Sequence, residues 1–227
     1  MLIWNSFLLA FTALLPLINP IGSALIFLGL VGDVAPSVYR QLARRIAVTT
    51  FGFLAVIQFL GSLILHFFGV SLPIVQVAGG LVIAATAWTL LFEKDAGAEA
   101  RNKNREIAGS MTGEPDENLR GKIFYPFTFP ITAGPGTLVV MLTLSAHVSR
   151  HTLVARVEAH GGIAIASAIL SASVYLCYGY APKLTHSVSP STVHGILRVI
   201  AFILMCIGVQ IAWNGISLLA AGLLTHR

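Results

Sequence analysis

Charged residues are scarce in this chain, and long parts of it have none. Of the 227 residues, 10% are Asp, Glu, Lys or Arg, whereas 56% are apolar. Five stretches lack any charged side chain: residues 1–32, 46–92, 123–149, 159–182 and 199–225. If all five were buried in a water-soluble core, too little chain would remain to form a polar surface. The composition therefore excludes a soluble globular protein and predicts an all-α membrane protein.

Catalytic signatures are also missing. The sequence has no His-Glu-x-x-His and no Gly-x-Ser-x-Gly, and the charge-free stretches hold no carboxylates that could act as acid and base. The two cysteines, Cys177 and Cys206, lie in apolar stretches without CxxC spacing and are expected to be packing residues. His147 and His151 have the i,i+4 spacing of a metal pair, but histidines at a wet interface are usually solvated. We expect no enzyme activity, no cofactor and no metal site; a role of these histidines in gating stays open.

The charge-free stretches have the length of membrane-spanning helices. About 20 apolar residues cross the hydrocarbon core of a bilayer, and the stretch 46–92 is long enough for two spans with a turn near Gly69–Pro73. The N-terminus has no basic segment typical of a signal peptide, so it is interpreted as a retained span. Six transmembrane helices are predicted, at about 3–31, 46–68, 73–92, 124–148, 161–181 and 196–220.

The positive charges predict how these spans are oriented. Alternate loops place eleven Lys and Arg residues on one side of the membrane, and only Arg150, Arg156 and Arg227 on the other. Lys and Arg accumulate in cytoplasmic loops. We therefore expect a multi-pass protein of the cell inner (plasma) membrane with both termini on the non-cytoplasmic side.

One polar segment divides the chain into two halves. Residues 93–122 contain seven of the nine acidic residues and are predicted to be a cytoplasmic linker. The first half, 1–92, and the second half, 123–227, then hold three helices each. Because three is odd, the second half enters the membrane in the opposite sense. The predicted architecture is thus a pair of inverted three-helix repeats, the form of many secondary transporters.

Each half opens with a span that contains helix-breaking residues. The first has the string Asn19-Pro20-Ile21-Gly22-Ser23, and the second has Thr132-Ala133-Gly134-Pro135-Gly136-Thr137. Proline removes a backbone donor and glycine weakens a helix. In lipid, a broken backbone is tolerated only where it is buried in protein or lines a cavity. Two matched breaks favour a binding site over a pair of structural kinks, although the kinks stay open as an alternative.

The predicted site is neutral. The N–H groups at the start of each second half-helix would suit an anionic group, and the carbonyls that end each first half-helix would suit a cation. Such a site near the midplane fits a small zwitterion. Gln210 and Asn214, one turn apart on the last span, either join it or only bond neighbouring helices. The candidate substrate-binding residues are Asn19, Pro20, Gly22, Ser23, Thr132, Ala133, Gly134, Pro135, Gly136, Thr137, Gln210 and Asn214.

The strings that carry these breaks resemble a known family. Residues 14–22 and 125–137 are similar to the two signatures of the MarC family of bacterial and archaeal membrane proteins, as are residues 77–81 and 208–215. The resemblance covers nearly the whole chain except the linker. It implies six spans and, through the SnatA transporter of that family, transport of glycine, alanine or similar small neutral amino acids.

The expected mechanism is alternating access, with one half rocking against the other about the breaks. Coupling to Na⁺ or H⁺ is left open, although the lack of an intramembrane carboxylate favours sodium or uncoupled exchange over a proton. The alternatives are a passive channel, an exporter of another small solute, and a scaffold without transport. Export of amphipathic drugs is disfavoured because the thirteen Phe are scattered along the chain. Small-residue helix faces would permit a homo-oligomer.

Overall fold

The computed structural model of the chain describes residues 2–32, 34–92, 121–148, 153–182 and 190–225, and this part is helical almost throughout. Most of the predicted linker and His151 lie outside the described residues. The helices are α1 (Leu2–Ile18), α2 (Pro20–Val31), α3 (Pro36–Phe67), α4 (Leu72–Phe92), α5 (Ile123–Thr132), α6 (Pro135–Val148), α7 (Leu153–Gly179) and α8 (Pro190–Thr225).

The helices have the dimensions of a multi-pass membrane protein. Five segments are long and apolar enough to cross a bilayer, among them α1 and α2 together, which form one span of 30 residues. Helices α5 and α6 pass the same test as a pair but are bent by 75° at the break between them, and they raise the number of spans to six if they count as one. The prediction of an all-α membrane protein is therefore confirmed.

Three helices extend beyond the predicted spans. Helix α3 begins at Pro36, ten residues before the predicted boundary, and its first turns carry Arg40, Arg44 and Arg45. Proline is favoured at the first position of a helix, and no helix-breaking residue follows until the apolar stretch begins. Helices α7 and α8 likewise begin eight and six residues before their predicted spans. Charged residues marked the end of the apolar segment, but they did not mark the end of the helix.

The two halves of the chain are interlocked. The most extensive helix packing in the described part joins α4 to α8, followed by α1 to α7 and α3 to α7. Helices α3 and α4 also pack on α6. All of these pairs unite a helix of the first half with one of the second. This arrangement does not fit the expected mechanism in which one half rocks against the other as a rigid body, since neither half forms a bundle of its own.

Small residues allow the closest of these contacts. A Cβ atom on Gly80 of α4 would lie 2.4 Å from the backbone nitrogen of Ala212 on α8, and one on Gly208 would lie 2.6 Å from the nitrogen of Ala84. Such backbone-to-backbone packing is typical of membrane helices. The α4–α8 pair also forms a small apolar cluster around Ile83, Ala87 and Leu204, and Leu17 of α1 packs against both this cluster and the main core that the other helices share.

Candidate functional site

The first interruption lies at Asn19, between α1 and α2. Its backbone has φ 41° and ψ 68°, and it is the one non-glycine residue with positive φ in the described part. Asparagine tolerates this left-handed conformation better than most residues. Its side-chain Oδ1 accepts a hydrogen bond from the Gly22 N–H (3.1 Å), and Pro20 occupies the first position of α2. The motif therefore encodes a left-handed residue that caps the following helix.

The polar groups of this interruption satisfy one another. The Ser23 hydroxyl lies 2.9 Å from the carbonyl oxygen of Asn19 and 3.2 Å from that of Ile18, and the Ser23 N–H donates to the Asn19 carbonyl (2.9 Å). The expectation of free N–H groups near Gly22 and Ser23 and a free Ile18 carbonyl is thus wrong for this conformation. A ligand would have to displace these internal bonds.

The second interruption spans α5 and the start of α6. Tyr125 and Phe129 have extended backbone angles inside α5, and a cis peptide bond precedes each of Pro126 and Pro130. The remaining turns are wide, with hydrogen bonds between residues five apart, as from the Ala133 N–H to the Thr128 carbonyl (2.8 Å). Wide turns and extended residues are how the chain accommodates two prolines four residues apart.

Threonine hydroxyls take up carbonyls in this segment. The Thr128 hydroxyl donates to the Ile123 carbonyl (2.8 Å), and the Thr132 hydroxyl donates to the Phe127 carbonyl (2.7 Å). Both threonines are fully buried. Side-chain hydroxyls therefore bond to carbonyls of the irregular segment inside the protein, as membrane-embedded irregular backbone requires.

Tyr178 of α7 connects the two interruptions. Its hydroxyl lies 2.7 Å from the Thr132 oxygen. Because Thr132 donates its own proton to Phe127, the phenol is the donor in this pair. The Ser23 side chain also interacts with the phenol. One fully buried side chain thus contacts both breaks, and it was not among the candidate residues.

An aromatic cluster surrounds this junction. Phe27 of α2 stacks on Tyr178 with ring centroids 4.5 Å apart, and it meets Tyr39 and Phe127 edge-on at 5.9 and 5.3 Å. All four rings are buried. The view that the phenylalanines are scattered is therefore wrong for Phe27 and Phe127. The cluster is filled and closed, which differs from the open aromatic cavity that a carrier of large drugs would need.

Tyr178 itself is nearer to the arginine-bearing end of α7 than to the middle of that helix's charge-free stretch. Tyr178 follows the centre of the charge-free stretch 159–182 by eight residues, which is about 12 Å along a helix. The neighbouring Gly179 packs against Arg40 of α3, whose Cγ would lie 3.6 Å from a Cβ at Gly179. Asn19, by contrast, lies within three residues of the centre of the span Leu2–Val31.

Most other candidate residues lie around this junction. Pro20, Gly22 and Ala133 are buried at the two breaks, Gly134 is half-buried and Pro135 is exposed. A Cβ on Gly136 would lie 2.7 Å from Ile83 and 2.9 Å from Leu17, so the start of α6 is packed against the end of α1 and against α4.

Thr137 stands out among these residues because its hydroxyl has no hydrogen-bond partner in the described part of the chain. The residue is 1% exposed. An unpaired buried hydroxyl costs about 1–3 kcal/mol. A ligand that bonded to it would recover that free energy.

The last two candidates are not brought to the junction. Gln210 and Asn214 lie on an exposed face of α8, where the Gln210 side-chain N–H₂ donates to the Asn214 oxygen (2.9 Å). Their shared face was predicted from helical periodicity, but that face points away from the helix's neighbours in this structure.

Comparison with known proteins agrees with this architecture. The family model for MarC family integral membrane proteins matches residues 4–220. The inner membrane protein MarC of Salmonella typhimurium is 29% identical over 221 residues, with 92% of each chain covered. MarC of Citrobacter koseri is 30% identical over 216 residues, again with 92% of each chain covered. No solved structure matches the chain. A family match over nearly the full length, on a bundle of membrane-spanning helices, means that the chain belongs to the MarC family of integral membrane proteins.

Proposed function

We propose that this protein is a secondary transporter, and not an enzyme, that moves small neutral amino acids such as glycine and alanine across the inner membrane by alternating access. The observation that carries the proposal is the Tyr178 hydroxyl, which lies 2.7 Å from Thr132 of one interruption and interacts with Ser23 of the other. Irregular backbone from two separate spans, joined by neutral polar groups in a buried place, is the arrangement of many transporter sites. The resemblance to SnatA supplies the substrate class.

The closed junction would become a binding site when it opens. Separation of Tyr178 from Thr132 would free the phenol O–H and an acceptor site on the Thr132 oxygen, and the nearby α6 carries the unpartnered hydroxyl of Thr137. The N–H groups of Gly136 and Thr137 lie in the first turn of α6, at the positive end of its dipole, and would bind the substrate carboxylate. Carbonyls and hydroxyls of the wide-turned α5 would bind the ammonium group. The site would then need no charged side chain.

The α4–α8 pair is the part that we propose to move. Its buried residues form a small cluster that, within the described part of the chain, only Leu17 and Ile211 link to the main core, and its Ile83 covers Gly136 at the start of α6. Movement of this pair would uncover Gly136 without disrupting the packing of α1 and α3 on α7. The moving unit would then combine one helix from each half of the sequence, in place of one half rocking against the other.

Orientation and coupling form part of the same proposal. The excess of Lys and Arg on alternate loops favours an orientation with both termini on the non-cytoplasmic side. None of the six predicted spans contains Asp or Glu. Coupling to sodium through carbonyls, or uncoupled exchange, is therefore favoured over proton coupling through a titrating carboxylate.

The test is uptake of radiolabelled glycine and alanine into proteoliposomes, with and without unlabelled amino acid inside, under imposed sodium or proton gradients. Saturable uptake that is stimulated from the far side supports a carrier, and the effective gradient identifies the coupling ion. Uptake without saturation would indicate a passive channel. Absence of uptake by well-folded protein under every gradient would overturn the proposed substrate class and favour another small solute.

Variants at the interruptions sharpen this test. Gly22→Leu and Gly136→Leu should abolish uptake, because a side chain at either position enters a packed part of the junction. Gly52→Leu is the matched control, since nothing lies within 4 Å of a Cβ at that helical glycine. Size-exclusion profiles would establish that each variant folds. Retained uptake by folded Gly22→Leu and Gly136→Leu proteins would count against the breaks as the site.

A further inference from the structure

A groove of about 630 Å³ runs between α3 and α7 on the outside of the bundle, separate from the Tyr178 junction. Each helix contributes four residues with the same i, i+3, i+4, i+7 spacing, which places them on one helical face. The lining residues are Arg44, Ala47, Val48 and Phe51 of α3, and Ala168, Ser171, Ala172 and Tyr175 of α7.

The groove exists because small side chains face each other across an antiparallel helix pair. Arg40 packs on Gly179 at one level, and Gln58 bonds to His160 at another (2.8 Å to the His160 carbonyl). This register places Arg44 opposite Tyr175 and Phe51 opposite Ala168. Between these ends the walls are the small side chains of Ala47, Val48, Ser171 and Ala172, so the two helices leave a groove that opens to the side.

The chemistry of the groove is polar at one end and apolar along the rest. Arg44 is exposed and supplies one positive charge. Glu158 is the one carboxylate side chain among the described residues, and it lies 17 residues before Tyr175, about 25 Å along α7. The described lining holds no carboxylate that could pair with an ammonium group. The groove instead suits a ligand with one anionic group and a long apolar part.

Ser171 is a second, independent indication that the groove binds a ligand. This residue is 5% exposed, and its hydroxyl has no hydrogen-bond partner in the described part of the chain. It lies one turn of α7, about 6 Å, from the level of Arg44 and Tyr175. A ligand with an acceptor oxygen at that distance from its anionic group would satisfy both residues.

We propose that this groove binds an anionic phospholipid. The phosphate contacts Arg44, an ester carbonyl accepts a hydrogen bond from Ser171, and the first part of one acyl chain lies along Ala47, Val48 and Ala172. Basic pockets between membrane helices are known sites for anionic headgroups. The groove reaches about 10 Å from Arg44 to Phe51, so the chain beyond that point would lie in the bilayer.

The test is native mass spectrometry of the detergent-purified protein titrated with phosphatidylglycerol or phosphatidylcholine of identical acyl chains. We expect one phosphatidylglycerol to be retained in preference to phosphatidylcholine. Arg44→Gln should weaken that preference by about fivefold, the usual contribution of one basic residue near a membrane surface. Arg45→Gln is the matched control, because Arg45 is also exposed but does not line the groove.

Two further variants separate the chain and ester contacts from the charge. Ala172→Phe should fill the groove and reduce binding of both lipids, whereas Ala85→Phe, at an exposed position on α4, should not. Ser171→Ala should weaken binding of both lipids to a similar extent. Inorganic phosphate and glycerol phosphate should not compete at millimolar concentration, because they lack the acyl chain.

The opposite results would overturn the site. Equal effects of Arg44→Gln and Arg45→Gln would mean that anionic lipid is held only by general surface charge. Equal retention of both lipids in every variant would mean that the bound lipid is annular only. Competition by inorganic phosphate would indicate a free-anion site in place of a lipid site.

Discussion

The bond between Tyr178 and Thr132 can be measured by a double-mutant cycle with Tyr178→Phe and Thr132→Val. Tyr178→Phe removes only the hydroxyl and leaves the stacking of the ring on Phe27 intact. Thr132→Val keeps the shape of the side chain but removes two hydrogen bonds, to Tyr178 and to the Phe127 carbonyl, both 2.7 Å long. The two substitutions therefore differ in how many buried groups they leave unpaired.

The expected magnitudes follow from this difference. Tyr178→Phe leaves Thr132 still bonded to Phe127, so it should lower the free energy of unfolding by about 1 kcal/mol, the usual net value of one hydrogen bond. Thr132→Val takes the Thr132 acceptor from a buried phenol and a donor from the Phe127 carbonyl, and should lower the free energy of unfolding by about 2–3 kcal/mol. The coupling energy should be about 0.6–1.7 kcal/mol, the range for side-chain hydrogen bonds between membrane helices.

The assay is reversible unfolding in mixed micelles with increasing denaturing detergent, followed by far-UV circular dichroism. Tyr175→Phe serves as the control, because no hydrogen bond of that half-buried phenol is among the described contacts. It should change stability by less than about 0.5 kcal/mol. A coupling energy of zero, or equal losses for Tyr178→Phe and Tyr175→Phe, would refute the view that this bond ties α7 to the second interruption.

Two further predictions concern backbone geometry and helix packing, and each is checked by the same unfolding assay. Asn19→Ala should lower the free energy of unfolding by about 1–2 kcal/mol, because it loses the cap to Gly22 and strains a residue with φ 41°. Asn19→Gly should lower it by only a few tenths of a kcal/mol. Equal losses for the two variants would contradict this account. Gly80→Ala should lower the free energy of unfolding by about 1–3 kcal/mol, because the added Cβ would push α4 away from α8. Gly52→Ala, with open space around its Cβ, should leave that free energy unchanged or raise it.

The spans could be predicted from sequence because the bilayer imposes a strict local rule. A charged residue in hydrocarbon is costly, so charge-free stretches such as 159–182 indicate which segments cross. The same rule could not place the start of α3, because a helix can continue into water past Arg45 and Arg40. The Asn-Pro and Gly-Pro-Gly strings likewise indicated where the backbone is irregular, since Pro and Gly act on their own neighbours.

The junction could not be predicted, because it depends on packing between distant residues. Tyr178 lies 46 residues from Thr132, and a tyrosine near the end of an apolar stretch is an ordinary interfacial residue until its neighbours are known. The internal capping of Gly22 by Asn19 was missed for a different reason. The argument from the helix dipole considered backbone groups alone and left out the side chain that caps them. Helical periodicity predicts that Gln210 and Asn214 share a face of α8, but it does not show whether that face packs on other helices or is exposed.

The interlocked halves restrict how a transporter of this form could open. The packing of α1 and α3 on α7 argues against movement of a rigid half, whereas α4 and α8 share a small cluster, contacted by Leu17 of α1, and could move as a pair. On the proposed function, a thiol cross-linker between Leu17→Cys and Ile83→Cys, which both contact the start of α6, should stop exchange. One between Ala87→Cys and Leu204→Cys, which join α4 to α8, should leave exchange intact. Both would be made with Cys206→Ser and Cys177→Ser. Exchange that survives the first cross-link and fails with the second would mean that α4 and α8 move against each other, and the pair would no longer be the mobile unit.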